Sequence, residues 1–72
     1  MLRVGTGSGF SVEIDAGDRV LEQEAADSFG GATTIDGAEK AFRAWAAGKG
    51  VKVERFPNGD VDGQPLIRFR LT

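Results

Sequence analysis

The apolar residues of this chain change their period twice, and that change constrains the fold more than any composition figure does. Near the start, Leu2 and Val4 flank Arg3, and Phe10, Val12 and Ile14 alternate with Ser11, Glu13 and Asp15. Period two marks half-buried strands. Gly5-Thr6-Gly7-Ser8-Gly9 lies between the two runs and favours a turn, so the segment predicts a β-hairpin with Leu2, Val4, Phe10, Val12 and Ile14 on one face. The period then lengthens. Val20, Leu21, Ala25 and Phe29 follow helical spacing, Asp18 is placed to cap the first turn, and Gly30-Gly31 supplies a stop. The rival reading is a strand through Arg19–Glu24 after a turn at Asp15–Asp18; Glu, Gln and Ala favour the helix.

A second helix follows. Ala38, Ala41, Phe42, Trp45 and Ala46 share one face, Asp36 and Glu39 have the spacing of a reciprocal cap, and Gly48 and Gly50 end the run. The period then returns to two. Val51 and Val53 face one way, and Ile67, Phe69 and Leu71 share a face on a return strand beyond a turn-rich loop at Pro57–Pro65. Pairing Val53 with Phe69 and Val51 with Leu71 keeps these residues on the core side. That register sets Glu54 opposite Arg68, Phe56 opposite Leu66, and Lys52 opposite Arg70. The expectation is an α+β chain, ββααββ, folding as a single two-layer domain over residues 1–72. A four-stranded antiparallel sheet would carry both helices on one face, with Phe42 and Trp45 at the centre of the core.

Seventy-two residues with no cysteine must hold this fold by packing alone, without disulfide staples or thiolate metal sites. Histidine and tyrosine are absent too, which removes the commonest general base and metal ligand, so the reading is of a protein that is not an enzyme and carries no cofactor. No apolar run approaches the roughly 20 residues of a membrane helix. No secretory signal is read at Met1–Val4, and the expected location is the cytoplasm.

Three groups of residues invite a functional reading. The glycines at Gly5–Gly9 lead into a strand rather than a helix, which speaks for a hairpin turn and against a phosphate loop. Asn58-Gly59-Asp60-Val61-Asp62-Gly63 resembles the first half of an EF-hand calcium loop, with Asn58, Asp60 and Asp62 as oxygen ligands. The twelfth position, which should be glutamate, is Phe69, so the expectation is a solvated loop with weak calcium binding at most. The third feature is the division of charge. Residues 1–36 hold two bases against seven acids, a balance of −5, and residues 37–72 hold seven bases against four acids, a balance of +3.

That division predicts an acidic face at Asp15, Asp18, Glu22 and Asp27, with Glu24 beside it. It also predicts a basic face at Lys52, Arg68 and Arg70, with Lys40, Arg43, Lys49 and Arg55 nearby. The leading expectation is a small acidic protein-binding module, an inhibitor or adaptor of a larger assembly, using its acidic face to compete for a basic groove. In size, acidity and lack of catalytic side chains the chain is similar to small phage-encoded inhibitors, anti-CRISPR proteins among them; the likeness covers no motif and transfers no residue. The alternatives are nucleic-acid binding through Lys52, Arg68, Arg70 and Phe56, disfavoured by a pI near 4.9, and self-assembly as a homodimer through an edge strand.

Overall fold

The computed structural model describes residues 1–72, and its elements follow the expected order: β1 (Leu2–Gly5), β2 (Ser11–Asp15), α1 (Arg19–Ser28), α2 (Ile35–Lys49), β3 (Val53–Val61) and β4 (Gln64–Leu71). Both helices lie on one face of a four-stranded sheet ordered β1-β2-β4-β3. The sheet is mixed. β1/β2 and β3/β4 are antiparallel, but the central β2/β4 pair is parallel, which corrects the expectation of an all-antiparallel sheet. Composition explains the placement. β4 buries Leu66, Ile67, Phe69 and Leu71 and suits the interior, whereas β3 carries Pro57, which a sheet accommodates at an edge or a bulge.

The β3/β4 register also differs from expectation by two residues, pairing Val53 with Leu71, Glu54 with Arg70, Arg55 with Phe69 and Phe56 with Arg68. The cause lies in the stretch read as a loop. Asp62 and Gly63 form a two-residue turn with φ of 52° and 79°, the positive angles a tight hairpin demands, so both strands run almost to the tip. A bulge then sets Pro57 and Asn58 against the single residue Ile67. Gly59 sits beside it, where a Cβ would lie 3.3 Å from Leu66 Cδ2 and require that side chain to give way by a few tenths of an ångström. Since the slip is by two, every side chain keeps its face.

α1 is a helix, capped as expected by Asp18, whose Oδ1 accepts from the backbone N–H groups of Val20 (2.9 Å) and Leu21 (3.1 Å). Its buried stripe is rotated from the expected one. Val20 is exposed, and Glu22, Ala25 and Ala26 turn inward with Phe29. α2 starts earlier than the Asp36–Glu39 spacing suggested. Thr34 is the cap, its Oγ1 accepting the Gly37 N–H at 3.0 Å, and a side chain at 37 would collide with that hydroxyl. Ile35 is thereby drawn into the first turn and onto the core margin. At the other end Gly50 takes the left-handed conformation, with φ of 74°.

The core is centred on Phe42, which is fully buried. Its ring stacks on Phe69 at 4.4 Å between centroids, meets Phe29 edge-on at 6.3 Å and touches Trp45 at 5.9 Å. Trp45 is only half-buried and closes the margin rather than filling the centre, as suits an indole whose N–H needs access to a partner. Replacing Phe42 by alanine removes the residue on which both layers converge. F42A is expected to lose about 3–5 kcal/mol, most of the stability of a domain this small. V20A on the exposed side of α1 is expected to stay within about 0.5 kcal/mol of wild type. Urea denaturation followed by Trp45 fluorescence measures both.

Candidate functional site on the uncovered sheet face

Strand alternation sends one set of side chains to the helices and the other to the open face of the sheet, and the cross-strand register arranges the second set in rows. Gly5, Ser11, Leu66 and Gly59 form one row; Arg3, Glu13, Arg68 and Phe56 form the next; Asp15, Arg70 and Glu54 form the third. The middle row is a linked chain of contacts. Arg3 Nη2 donates to Glu13 Oε1 and Arg68 Nε donates to Glu13 Oε2, both at 3.2 Å. Glu13 is thus almost covered, 8% exposed, with both carboxylate oxygens held by guanidinium groups. Beyond it, the guanidinium carbons of Arg68 and Arg70 sit 5.9 and 5.1 Å from the centroid of the half-buried Phe56 ring. These are cation–π distances.

Of the expected basic residues, the structure brings Arg68 and Arg70 onto Phe56, and the same alternation along β3 sets the exposed Lys52 one row beyond Glu54 and Arg70. Lys52 precedes β3, and its carbonyl accepts the Thr72 N–H. Arg55 lies on the helix side, over the Phe69 ring and 3.5 Å from Glu39, while Arg43 also pairs with Glu39 at 2.9 Å and Lys49 with Glu24 at 2.9 Å. The expected clash of Lys52 with Arg70 is replaced by Asp15 and Glu54 as register neighbours of Arg70. Arg3 and Glu13 were missed as members of the site. Their outward phase was readable from the alternation with Leu2, Val4, Val12 and Ile14; what local pattern could not supply was the adjacency of β2 and β4. Within these three rows three arginines face three acids, so the rows themselves balance, and Lys52 at the end of β3 adds one positive charge beyond them.

The expected acidic face does not form as one surface. Asp15 belongs to the open sheet face, Asp18 is committed to the α1 cap, and Asp27 accepts from Gln23 Nε2 at 3.1 Å on the solvent side of α1. Glu22 is buried, 2% exposed. It accepts the Ala16 N–H at 2.9 Å and lies 3.1 Å from the amino group of Met1. The hydrogen bond from Ala16 outweighs desolvation and, with the Met1 ammonium, holds this carboxyl below its ordinary value of 4.5. A carboxylate so held is a poor proton carrier at neutral pH. A depression of 380 Å³ beside it is lined by Met1, Gly17, Asp18, Arg19 and Glu22, and a shallower one of 450 Å³ by Arg19, Val20, Gln23, Glu24 and Asp27. Glu39 is lowered as well; its burial pushes the pKa up, and Arg43 and Arg55 together more than reverse that.

The calcium half-motif falls on the β3/β4 hairpin. Asn58 sits in the bulge, Asp60 in β3 opposite Pro65, and Asp62 in the turn, so the three are strung along strand and turn instead of wrapping a loop. No three acidic side chains converge as a metal-binding group. No helix is long and apolar enough to cross a membrane. Comparison of the chain with protein families, curated proteins and solved structures finds no match.

Glu22 and Glu39 contribute to the acid limb of stability. Both bind protons less readily folded than unfolded, so their contribution is complete above the ordinary carboxyl value of 4.5 and is lost as pH falls through the lower folded values. Urea midpoints measured down through that range are expected to fall, and E22Q is expected to be less stable at neutral pH with a shallower acid slope. An unchanged slope in E22Q would show that this carboxylate is not coupled to folding.

Proposed function

We propose that this chain is a small non-enzymatic protein-binding module, an inhibitor or adaptor of a larger assembly, and that it docks through the uncovered sheet face. The observation that carries this reading is Phe56 framed by Arg68 and Arg70 on two paired strands. Aromatic and arginine side chains dominate the energetics of protein interfaces, and strands hold them in place before binding, which lowers the entropic cost of association. The acidic face expected from the sequence is not the docking surface in this reading, because Glu22 is buried and Asp18 is bound to its own helix. The absence of histidine, cysteine and tyrosine supports the non-enzymatic part, and small size and acidity support a style like that of phage-encoded inhibitors.

A second reading, single-stranded nucleic acid stacking on Phe56, is favoured by the same ring and arginines. It is opposed by the balance of charge within the rows of the face, since affinity for phosphates rests on an excess of cations. Affinity capture from the native host is the test. F56A and R70E are expected to lose a retained protein by about tenfold or more, as befits an interface centre, while D27K on the exposed side of α1 retains it. Loss with D27K and retention with F56A would move the docking surface to the helices. A salt-sensitive gel shift with single-stranded RNA, abolished by R70E, would instead favour the second reading.

A further inference from the structure

We propose that the uncovered sheet face is reversibly capped by the same face of a second copy of this chain, related by a two-fold axis that lies in the interface and runs along the strands between β2 and β4. The inference rests on the reading that this face docks proteins, and it names a partner that competes there. The open face is striped by strand: Arg3 on β1 is positive, Glu13 and Asp15 on β2 are negative, Arg68 and Arg70 on β4 are positive, and β3 presents Glu54 beside Phe56.

A two-fold along the strands exchanges left for right and leaves height along the strands unchanged, so each row meets its own row. β2 then faces β4 of the second copy, which sets the half-buried Asp15 opposite Arg70 and brings a second Arg68 over the nearly covered Glu13 that its own Arg3 and Arg68 hold, twice over. β1 faces β3, which brings Arg3 over Phe56. In the row of Ser11 and Leu66, Gly5 faces Gly59, where no side chain stands between the backbones. The other in-plane two-fold, across the strands, would set β2 on β2 and β4 on β4, with like charges opposed. Electrostatics thus admits one of the two symmetric arrangements.

Size sets the strength. Four strands about 4.8 Å apart, carrying three rows about 6.8 Å apart, offer about 400 Å² per copy, roughly half the ~800 Å² per partner of a standard interface. The pair is weak, exchanges quickly, and loosens with salt because its contacts are ionic. Copies at high concentration hide the docking face, and a higher-affinity partner displaces them.

Sedimentation equilibrium of the wild-type chain at low and high salt, up to about 1 mM, is compared with a chain carrying R3E, E13R and R68E. That inversion preserves the ion triplet within each chain and the pairing of position 13 with position 68 between like copies, while removing the cations at positions 3 and 68 from the Phe56 ring, so the inverted pair is the weaker of the two. Wild type and inverted chain are each expected to shift from monomer mass toward dimer mass at low salt and to return at high salt. Fluorescently labelled wild type is expected not to co-sediment with the inverted chain, because Glu13 and Arg68 would then meet like charges. A monomer at every concentration, or mixed dimers forming as readily as like ones, overturns the proposal. If self-association fails while F56A still abolishes protein capture, the docking reading stands without this partner; if F56A has no effect on capture either, both fall.

Discussion

β2 and β4 lie far apart in the chain and are hydrogen-bonded in parallel at the centre of the sheet, and both faces of the molecule depend on that one pairing. On the helix side it aligns Val12 and Ile14 with Ile67, Phe69 and Leu71, all at most 5% exposed, as the floor on which Phe42 stacks. On the other side the same register sets Glu13 beside Arg68, and the two strands outside them add Arg3 and Phe56 to complete the row. A slip of β4 by one residue would invert both sets at once, sending arginines into the core and Phe69 into water. Register and core burial therefore enforce each other, and the open face inherits its order from the buried one.

What the sequence revealed was local. The two helices, the two hairpins and the Asp18 cap each depend on residues within a few positions of one another, and period alone exposes them. The failures had two kinds of cause. The parallel central pair joins segments some fifty-five positions apart, as the Glu13–Arg68 contact shows, and no local pattern encodes such a neighbour. The register slip, the early cap and the inward turn of Glu22 came from close rivals: Asp62-Gly63 outcompeted a longer loop, Thr34 outcompeted Asp36, and the Ala16 N–H gave Glu22 a reason to be buried. Of the open face, the phase of Arg68, Arg70 and Phe56 was readable, and the joining of Arg3 through Glu13 was not.

The charge division along the chain does not survive as a division in space. Glu24–Lys49 and Glu13–Arg68 each join an acid of the first half to a base of the second, so folding neutralises part of the asymmetry where the halves meet. Such exposed pairs contribute little stability singly, typically about 0–1 kcal/mol. Glu13 differs in being nearly covered and doubly held. Its geometry fixes two long, flexible arginines on the sheet, and their ordering matters more to the shape of the surface than to the strength of the fold.

In the docking we propose, an ordered face of balanced rows discriminates among partners in a way a basic patch does not. A polyanion gains by releasing counterions, and that gain requires cations in excess of local acids; here Arg3 and Arg68 already share Glu13, and Arg70 lies between Asp15 and Glu54 in the ladder. A phosphate backbone approaching Phe56 would have to displace these carboxylates or sit beside them. A surface that itself alternates in sign meets no such conflict, because every stripe finds its opposite and the aromatic ring finds a cation. Selectivity then follows from the spacing of the strands, about 4.8 Å, which only a partner of comparable rigidity and period can match along more than one stripe. That requirement favours folded protein surfaces over flexible polyanions.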